Sequence, residues 1–471
     1  MALLSAAEAS IEHSQDVVIV GAGACGICAG LTVKEAGAEV VVLERDANPT
    51  GSTALSTGLI PAAGTKLQRQ HGIDDSAEQF AREIIEKAKN QTDVAVARAV
   101  AAASGPTIDW LAGNHGVPFR LVEGFLYPGH TRLRMHGVPS RTGAELETAL
   151  LSAADHASLD IITEAIARDL YATADGRVVA VRIERPDGRL ETIGCRALIL
   201  ACNGYGGNEA MVRRYIPEIV DAEFLGHVGN QGDAVIWGEA LGAAIADMGS
   251  YQGHGAVASP YRKPIMWGVL TEGGFQVNAR AERFSNEVRG YSEQAYDVIR
   301  QTDHLAWNIY DETCERPALD FTDYQEVATL GGIKKANTIA ELAARLGLPA
   351  TALERTVADV NEMCAGRRSD PWGRNFSGTR PLVPPYCGVR VTGALFHTQG
   401  GLVVDTEAHV LRGDGTRLPN LFAGGGAARG LSGPSRWGYL SGNGLLTATV
   451  LGRVAGRSAA RLVKRAGAAA V

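Results

Sequence analysis

Val17-Val18-Ile19-Val20-Gly21-Ala22-Gly23-Ala24-Cys25-Gly26 is the stretch that decides the fold. Its apolar run reads as a buried strand, and the pattern that follows, as far as Gly37, reads as a helix. The three glycines between them have separate tasks. Gly21 permits a tight turn, Gly23 lets a phosphate approach the backbone, and Gly26 lets the helix pack closely on the strand. A second, valine-rich strand from Glu39 to Glu44 completes a βαβ unit. Glu44 stands about 20 residues beyond the turn, where an acidic side chain accepts the ribose hydroxyls of a dinucleotide. The dinucleotide's phosphates are expected on the free N–H groups at the helix N-terminus.

The rest of the chain is that of a globular enzyme. It has 471 residues, 45% hydrophobic and 21% charged, enough for about two domains with proper cores. A formal net charge of -7 gives no general attraction to nucleic acid or anionic lipid, both of which reward a basic face. The expected partner is a small-molecule substrate. No apolar run approaches the roughly 18 residues of a membrane span, and Met1 to Gln15 lacks the basic and apolar regions of a secretory leader. These readings predict a cytoplasmic protein without a membrane span. The seven cysteines, Cys25, Cys28, Cys195, Cys202, Cys314, Cys364 and Cys387, have no framework spacing, so no disulfide scaffold is expected. Cys25 and Cys28 form a CxxC inside the first helix with no second CxxC or histidine pair, which predicts buried structural thiols and no metal site.

Fifty-seven glycines recur in clusters along the chain. Buried-strand signals at Ala197 to Ala201 and Leu421 to Ala423 each run into such a cluster, as parallel strands ending at a ligand do. Between them the texture changes to amphipathic helices, Ser292 to Arg300, Ala336 to Leu346 and Thr351 to Cys364, mixed with short strands such as Phe275 to Asn278. The pattern predicts a discontinuous nucleotide domain over residues 14–237 and 381–471, with a second domain inserted at 238–380. Gly452 and Gly456 share a face of the last helix, which suits close packing on the sheet.

From Asp16 to Gly456 the chain resembles the fumarate reductase/succinate dehydrogenase flavoprotein superfamily, which includes the 3-ketosteroid dehydrogenases. The resemblance is carried by Val18 to Gly26, Ala201 to Asn208, Gly229-Asn-Gln-Gly-Asp233, Gly274-Phe-Gln-Val-Asn278 with Arg283-Phe-Ser-Asn-Glu287, His397-Thr-Gln-Gly-Gly401, Leu418 to Gly425 and Gly442-Asn443. It implies an α/β fold: a Rossmann-like FAD-binding domain with an inserted α+β capping or catalytic domain, the substrate lying between them. By this resemblance FAD is held by Gly21, Gly23, Ala24, Cys25, Gly26, Glu44 and Arg45, and by the small-residue loop with Ser52, Thr53, Ser56, Thr57 and Gly58. Ala201, Asn203, Gly204, Asn230 and Asp233 contribute from the middle of the chain, and Gly425, Gly426, Asn443, Gly444 and Leu445 from its end. Members that attach FAD covalently use a histidine in the loop after the ribose acid. Ser52 to Gly58 contains none, so binding is expected to be non-covalent. Gly426 stands where many members have an acidic residue.

Two departures bear on the substrate. In the dicarboxylate reductases an arginine beyond the Arg-Phe-x-Asn-Glu motif delivers a proton and another, before Gly-Asn, clamps a carboxylate; the corresponding positions here are Tyr291 and Tyr439. A phenol offers no bidentate guanidinium. The ketosteroid dehydrogenases use tyrosines near both positions. The resemblance therefore implies an FAD-dependent dehydrogenase that introduces a C=C bond α,β to the ketone of a cyclic substrate. Tyr439 and the Gly442 N–H would polarise the ketone, Tyr291 would take the α-proton, and the β-hydride would pass to flavin N5. His397, and less directly His254 and Glu272, match family positions near substrate. Arg436, on the loop beside the site, is expected to pair with a substrate carboxylate. The alternative is the reverse reaction, a fumarate reductase-like reduction of an unsaturated acid or enone. Either direction needs an external electron partner that the sequence does not identify.

Overall fold

The computed structural model describes residues 2–468. Strand His13–Val20 leads into Gly21, whose φ is +106°, and a Cβ there would lie 2.5 Å from the Ala201 carbonyl oxygen. Only glycine adopts that backbone cheaply at that distance. A Cβ on Gly26 would sit 1.8 Å from the Gly21 carbonyl oxygen, so helix Ala24–Glu35 closes directly on the turn. The helix is buried from Ala24 to Val33. Its other neighbour is helix Asn443–Ala468, which approaches it through Gly452 and Gly456. Cβ atoms at those glycines would be 2.3 Å from the Cys25 and 2.4 Å from the Ala29 carbonyl oxygens. The last helix thus packs tightly on the first helix as well as on the sheet.

His13–Val20 lies between Val40–Leu43 and Leu190–Leu200 in a nine-stranded sheet, parallel to both. Arg417–Ala423 joins the far side of Leu190–Leu200, also parallel, with Leu198 opposite Leu421. A strand from the end of the chain thus joins a sheet that also takes in Ala2–Ser5, and the small-residue segments after Val20, Leu200 and Ala423 meet at one crevice. Val17, Val18 and Ile19 are fully enclosed between the helix layers, each stabilising the fold by about 2 kcal/mol.

A second, seven-stranded sheet is built around Tyr386–Thr398, antiparallel to Tyr251–Ala258 on one side and to Leu305–Asp311 on the other. It reaches beyond residues 238–380 at both ends, taking in Glu223–Phe224 as well as Tyr386–Thr398. Phe275–Val277 is an edge strand, and the three expected helices are found at Tyr291–Ile299, Ile339–Leu346 and Ala350–Cys364. Residues 334–336 form a strand instead of a helix start.

Helix Tyr291–Ile299 crosses the second sheet where Gly253 and Gly393 leave room for Ala295. The residues before it are fixed by a buried ion cluster. Glu287 accepts hydrogen bonds from the Gln276 N–H at 3.1 Å, from Arg283 at 2.8 Å and from Arg374 at 3.2 Å, while Arg283 also pairs with Asp370. The Arg-Phe-Ser-Asn-Glu segment is thus the footing of the turn that presents Tyr291. Among the described residues no helix is long and apolar enough to cross a membrane, and no group of histidine, cysteine and acidic side chains is arranged to hold a metal.

Candidate active site

Two confluent cavities follow the crevice. The first, open to solvent, spans about 820 Å³ of atom-free space along Gly21, Gly23, Ala24, Cys25, Glu44, Arg45, Ala201, Asn230, Asp233 and Gly425. The second, of about 1290 Å³, runs on beneath the second sheet, and Ser52, Thr53, Asn203, Gly426 and Ala448 line both. Glu44 is fixed by the N–H groups of Ala22 at 2.9 Å and Asp46 at 3.0 Å. Thr53 Oγ1 accepts the Ala24 N–H at 3.0 Å, and the Asn230 amide donates to Ser52 at 2.8 Å. Asp233 Oδ1 is buried in the first cavity without a protein partner, and both polar atoms of the Asn443 amide are buried and unpaired between Gly442 and Gly444, which line the second. An elongated cleft with glycine-rich walls and orphaned polar groups fits an extended dinucleotide.

The expected cofactor residues divide by position. Ser56, Thr57, Gly444 and Leu445 line the second cavity. Gly26, Gly58, Gly204 and Asn443 line neither. Gly26 serves helix packing, a Cβ on Gly58 would meet the Thr142 carbonyl at 2.6 Å, and one on Gly204 would meet Thr398 Oγ1 at 2.0 Å. Their small size shapes the crevice from behind. Burial raises the Cys28 thiol to about 12 and the Cys25 thiol further, so both stay protonated and packed.

The far part of the second cavity gathers aromatic side chains. Tyr291 and Tyr439 meet edge to face with ring centroids 5.9 Å apart. The His254 ring stacks on Tyr291 at 5.1 Å, Trp267 meets both at 5.5 and 5.8 Å, and His397 stands 5.7 Å from Tyr439. The Gly442 and Gly444 N–H groups and the Tyr291 phenol favour ionisation of Tyr439, but burial outweighs them and holds its phenol at about 12. Burial keeps Tyr291 well above the ordinary tyrosine value, although the nearby Ser441 hydroxyl works the other way. Burial also depresses His254 to about 3 and His397 to about 4, so both imidazoles are neutral at physiological pH. His254 Nδ1 accepts the Ala256 N–H at 3.2 Å, which leaves its proton on Nε2. A Cβ on Gly444 would strike His397 Nε2 at 2.7 Å, so the Nε2 edge of the His397 ring abuts the start of the last helix.

Arg436 does not join this group. The short turn Arg436–Gly438 directs its guanidinium away from the cavity, onto Glu218 at 2.6 Å and over the Tyr296 ring at 4.0 Å. Glu272 is also absent from the lining; Gly273 and Gly274 carry the chain straight into the edge strand. Among the described residues no arginine or lysine lines the second cavity, and Asp323 is its one charged side chain, paired with Lys263 at 3.0 Å. Sequence reasoning missed Tyr127, Gln252, Trp267, Phe321, Asp323, Gln399 and Ser441, all of which line it. Tyr127 sits in Gly124-Phe-Leu-Tyr-Pro-Gly129, a loop whose only sequence signal is its turn residues.

Fold and site together define a flavin-dependent oxidoreductase. The chain belongs to the FAD binding domain family, whose model matches residues 16–445. It is 28% identical over 453 residues to a probable fumarate reductase of Shewanella frigidimarina, covering 95% of this chain and 75% of that one. It is 29% identical over 465 residues to a urocanate reductase of Eggerthella lenta, again covering 95% and 75% of the two chains. Among solved structures it is similar to the 3-ketosteroid-Δ4-(5α)-dehydrogenase of Rhodococcus jostii RHA1 in complex with 4-androstene-3,17-dione, with a TM-score of 0.77, 26% identity and coverage of 98% and 100%. The chain is an FAD-dependent oxidoreductase.

Proposed function

We propose that the enzyme introduces a C=C bond next to the ketone of a neutral cyclic substrate. The observation that carries this reading is the pairing of Tyr291 and Tyr439 beside the Gly442 N–H, in a cavity whose described lining holds no arginine or lysine. A dicarboxylate in such a cavity would have two charges to desolvate and no cation to pair with. A ketone needs only hydrogen-bond donors.

The Tyr439 O–H and the Gly442 N–H hold the ketone oxygen and stabilise the negative charge that grows on it as the α-carbon loses its proton. Tyr291 receives that proton. Its phenol is a poor base while neutral, so as the α-proton arrives it gives its own proton to the Ser441 hydroxyl, which releases one in turn to bulk water, and both groups end neutral. Bound FAD supplies the hydride-accepting ring that completes the oxidation. Leu55, Leu59, Ile265, Met266, Phe321 and Phe396 offer an apolar bed for a ring system, and they exclude water from the charged stage of the reaction. The steroid dione bound to the similar dehydrogenase supports a substrate of this kind.

A second reading, reduction of an enone or unsaturated acid, is supported by the fumarate and urocanate reductases among the relatives. The same side chains serve either direction by microscopic reversibility. The deciding experiment is anaerobic mixing of the oxidised enzyme with cyclic ketones, steroids, succinate and dihydrourocanate, with the reverse panel offered to reduced enzyme. Ketones are expected to bleach the oxidised flavin band. Bleaching by succinate and by no ketone would overturn the proposal.

A further inference from the structure

Residues 122–136 bring a chain of buried polar side chains up to the site from behind. The Arg134 guanidinium is fully enclosed, bonded to the two oxygens of Asp75 at 2.7 and 2.8 Å and to Glu83 at 3.2 Å. It also reaches His130 Nδ1 at 3.5 Å. The opposite ring nitrogen, Nε2, lies 3.0 Å from the carbonyl oxygen of Ser441. A guanidinium only donates, so Nδ1 accepts, and the neutral ring must carry its proton on Nε2 and give it to Ser441. The Phe80 ring lies 5.9 Å from the imidazole and 4.8 Å from the guanidinium, holding both in place.

The Ser441 carbonyl belongs to the same peptide unit as the Gly442 N–H. The peptide is trans, so its C=O and N–H bonds point to opposite sides and their dipoles add. A donor on the carbonyl oxygen draws electron density across the plane and makes the N–H on the far side a stronger donor. Ser441 and Gly442 line the second cavity together with Tyr291 and Tyr439, the Gly442 N–H near enough to Tyr439 and the Ser441 hydroxyl near enough to Tyr291 to favour ionisation of each phenol. Burying an arginine with two carboxylates is seldom a gain in stability over an apolar replacement, which argues that the cluster is kept for what it orients.

We propose that His130, held by Arg134, is a positioning residue that orients and polarises the Ser441–Gly442 peptide, so that the Gly442 N–H binds the reacting oxygen more strongly. This rests on the reading that this N–H serves the substrate oxygen. Two carboxylates already offset the charge of Arg134, so what travels along the chain is orientation and polarisation.

The test compares wild type with His130→Leu and His130→Gln, each as the FAD-loaded enzyme. A glutamine amide can donate to Ser441 and accept from Arg134; leucine can do neither. Labelling with carbonyl-13C serine and 15N glycine restricts the NMR spectrum to Ser104–Gly105, Ser377–Gly378, Ser432–Gly433 and Ser441–Gly442. His130→Leu is expected to shift the Ser441–Gly442 resonance upfield and leave the other three in place. With whichever compound bleaches the flavin, it should lower kcat about tenfold with KM little changed. His130→Gln should restore most of both. The proposal is overturned by an unmoved Ser441–Gly442 resonance, or by a loss of kcat that glutamine does not rescue. The spectrum needs no substrate, so it decides this point even if no ketone proves to be one.

Discussion

The rings of Tyr291 and Tyr439 lie 5.9 Å apart with their planes inclined at 62°, one phenol carried by a helix of the second sheet and the other by the loop that opens the last helix. Neither element holds the pair alone. Tyr291→Phe removes the proposed proton acceptor and leaves the ring packing intact. Turnover is expected to fall by about two to four orders of magnitude while FAD content, read from the visible spectrum, stays at the wild-type level.

Tyr439→Phe removes one of the two donors proposed for the ketone oxygen and leaves the Gly442 N–H. The expected loss is about 100-fold in kcat, the size typical of one oxyanion donor. Steady-state kinetics with the best ketone of the panel checks it. A rise in KM alone, with kcat unchanged, would assign Tyr439 to binding.

Gly21→Ala forces a side chain into a backbone at φ +106° and within 2.5 Å of the Ala201 carbonyl. The turn proposed to receive the phosphates must open. The purified variant is expected to be largely free of FAD, with a lowered ratio of flavin to protein absorbance and a lower Tm.

Glu147, 2% exposed on helix Gly143–His156, is pushed up to about 8 by burial and by Glu44, against the hydroxyl of Thr53. A folded-state value raised above the unfolded one means that the associated stability is fully present below about pH 4.5 and is lost as pH rises through about 8. Glu147→Gln has no proton to lose. Its Tm is expected to exceed that of wild type by an amount that grows from pH 5 to about pH 8.5. Parallel Tm curves over that range would remove Glu147 as the source.

Asp323 gives the second cavity its one charged lining side chain and occupies Lys263. Asp323→Asn removes a repulsive charge and loosens that lysine. For ketones bearing a remote carboxylate, kcat/KM is expected to rise about fivefold relative to a neutral ketone of the same ring system. An unchanged ratio would place the carboxylate elsewhere.

The βαβ unit was legible because its signals are local. A buried run, three glycines at fixed offsets and an acid one strand later are enough to specify that turn. Tyr291 and Tyr439 were legible because short motifs of fixed spacing stand beside them, Arg283 to Glu287 before one and Gly442-Asn443 after the other. Arg436 shows where this ends. Its neighbours in sequence point to the site, but one short helical turn rotates the side chain onto Glu218. Tyr127, Trp267 and Asp323 come from loops and a short helix whose courses depend on packing against distant strands, so they carry no periodic signature.

The sequence by itself determined a dinucleotide turn and tyrosines where a dicarboxylate enzyme would need arginines, because strand and turn chemistry act over a few residues. Only the tertiary structure decided which side chains share the cavity, that its described lining holds no arginine or lysine, and that His130 backs the Ser441–Gly442 peptide. Those facts depend on contacts between residues hundreds of positions apart, which exist only once both sheets have closed on the same crevice.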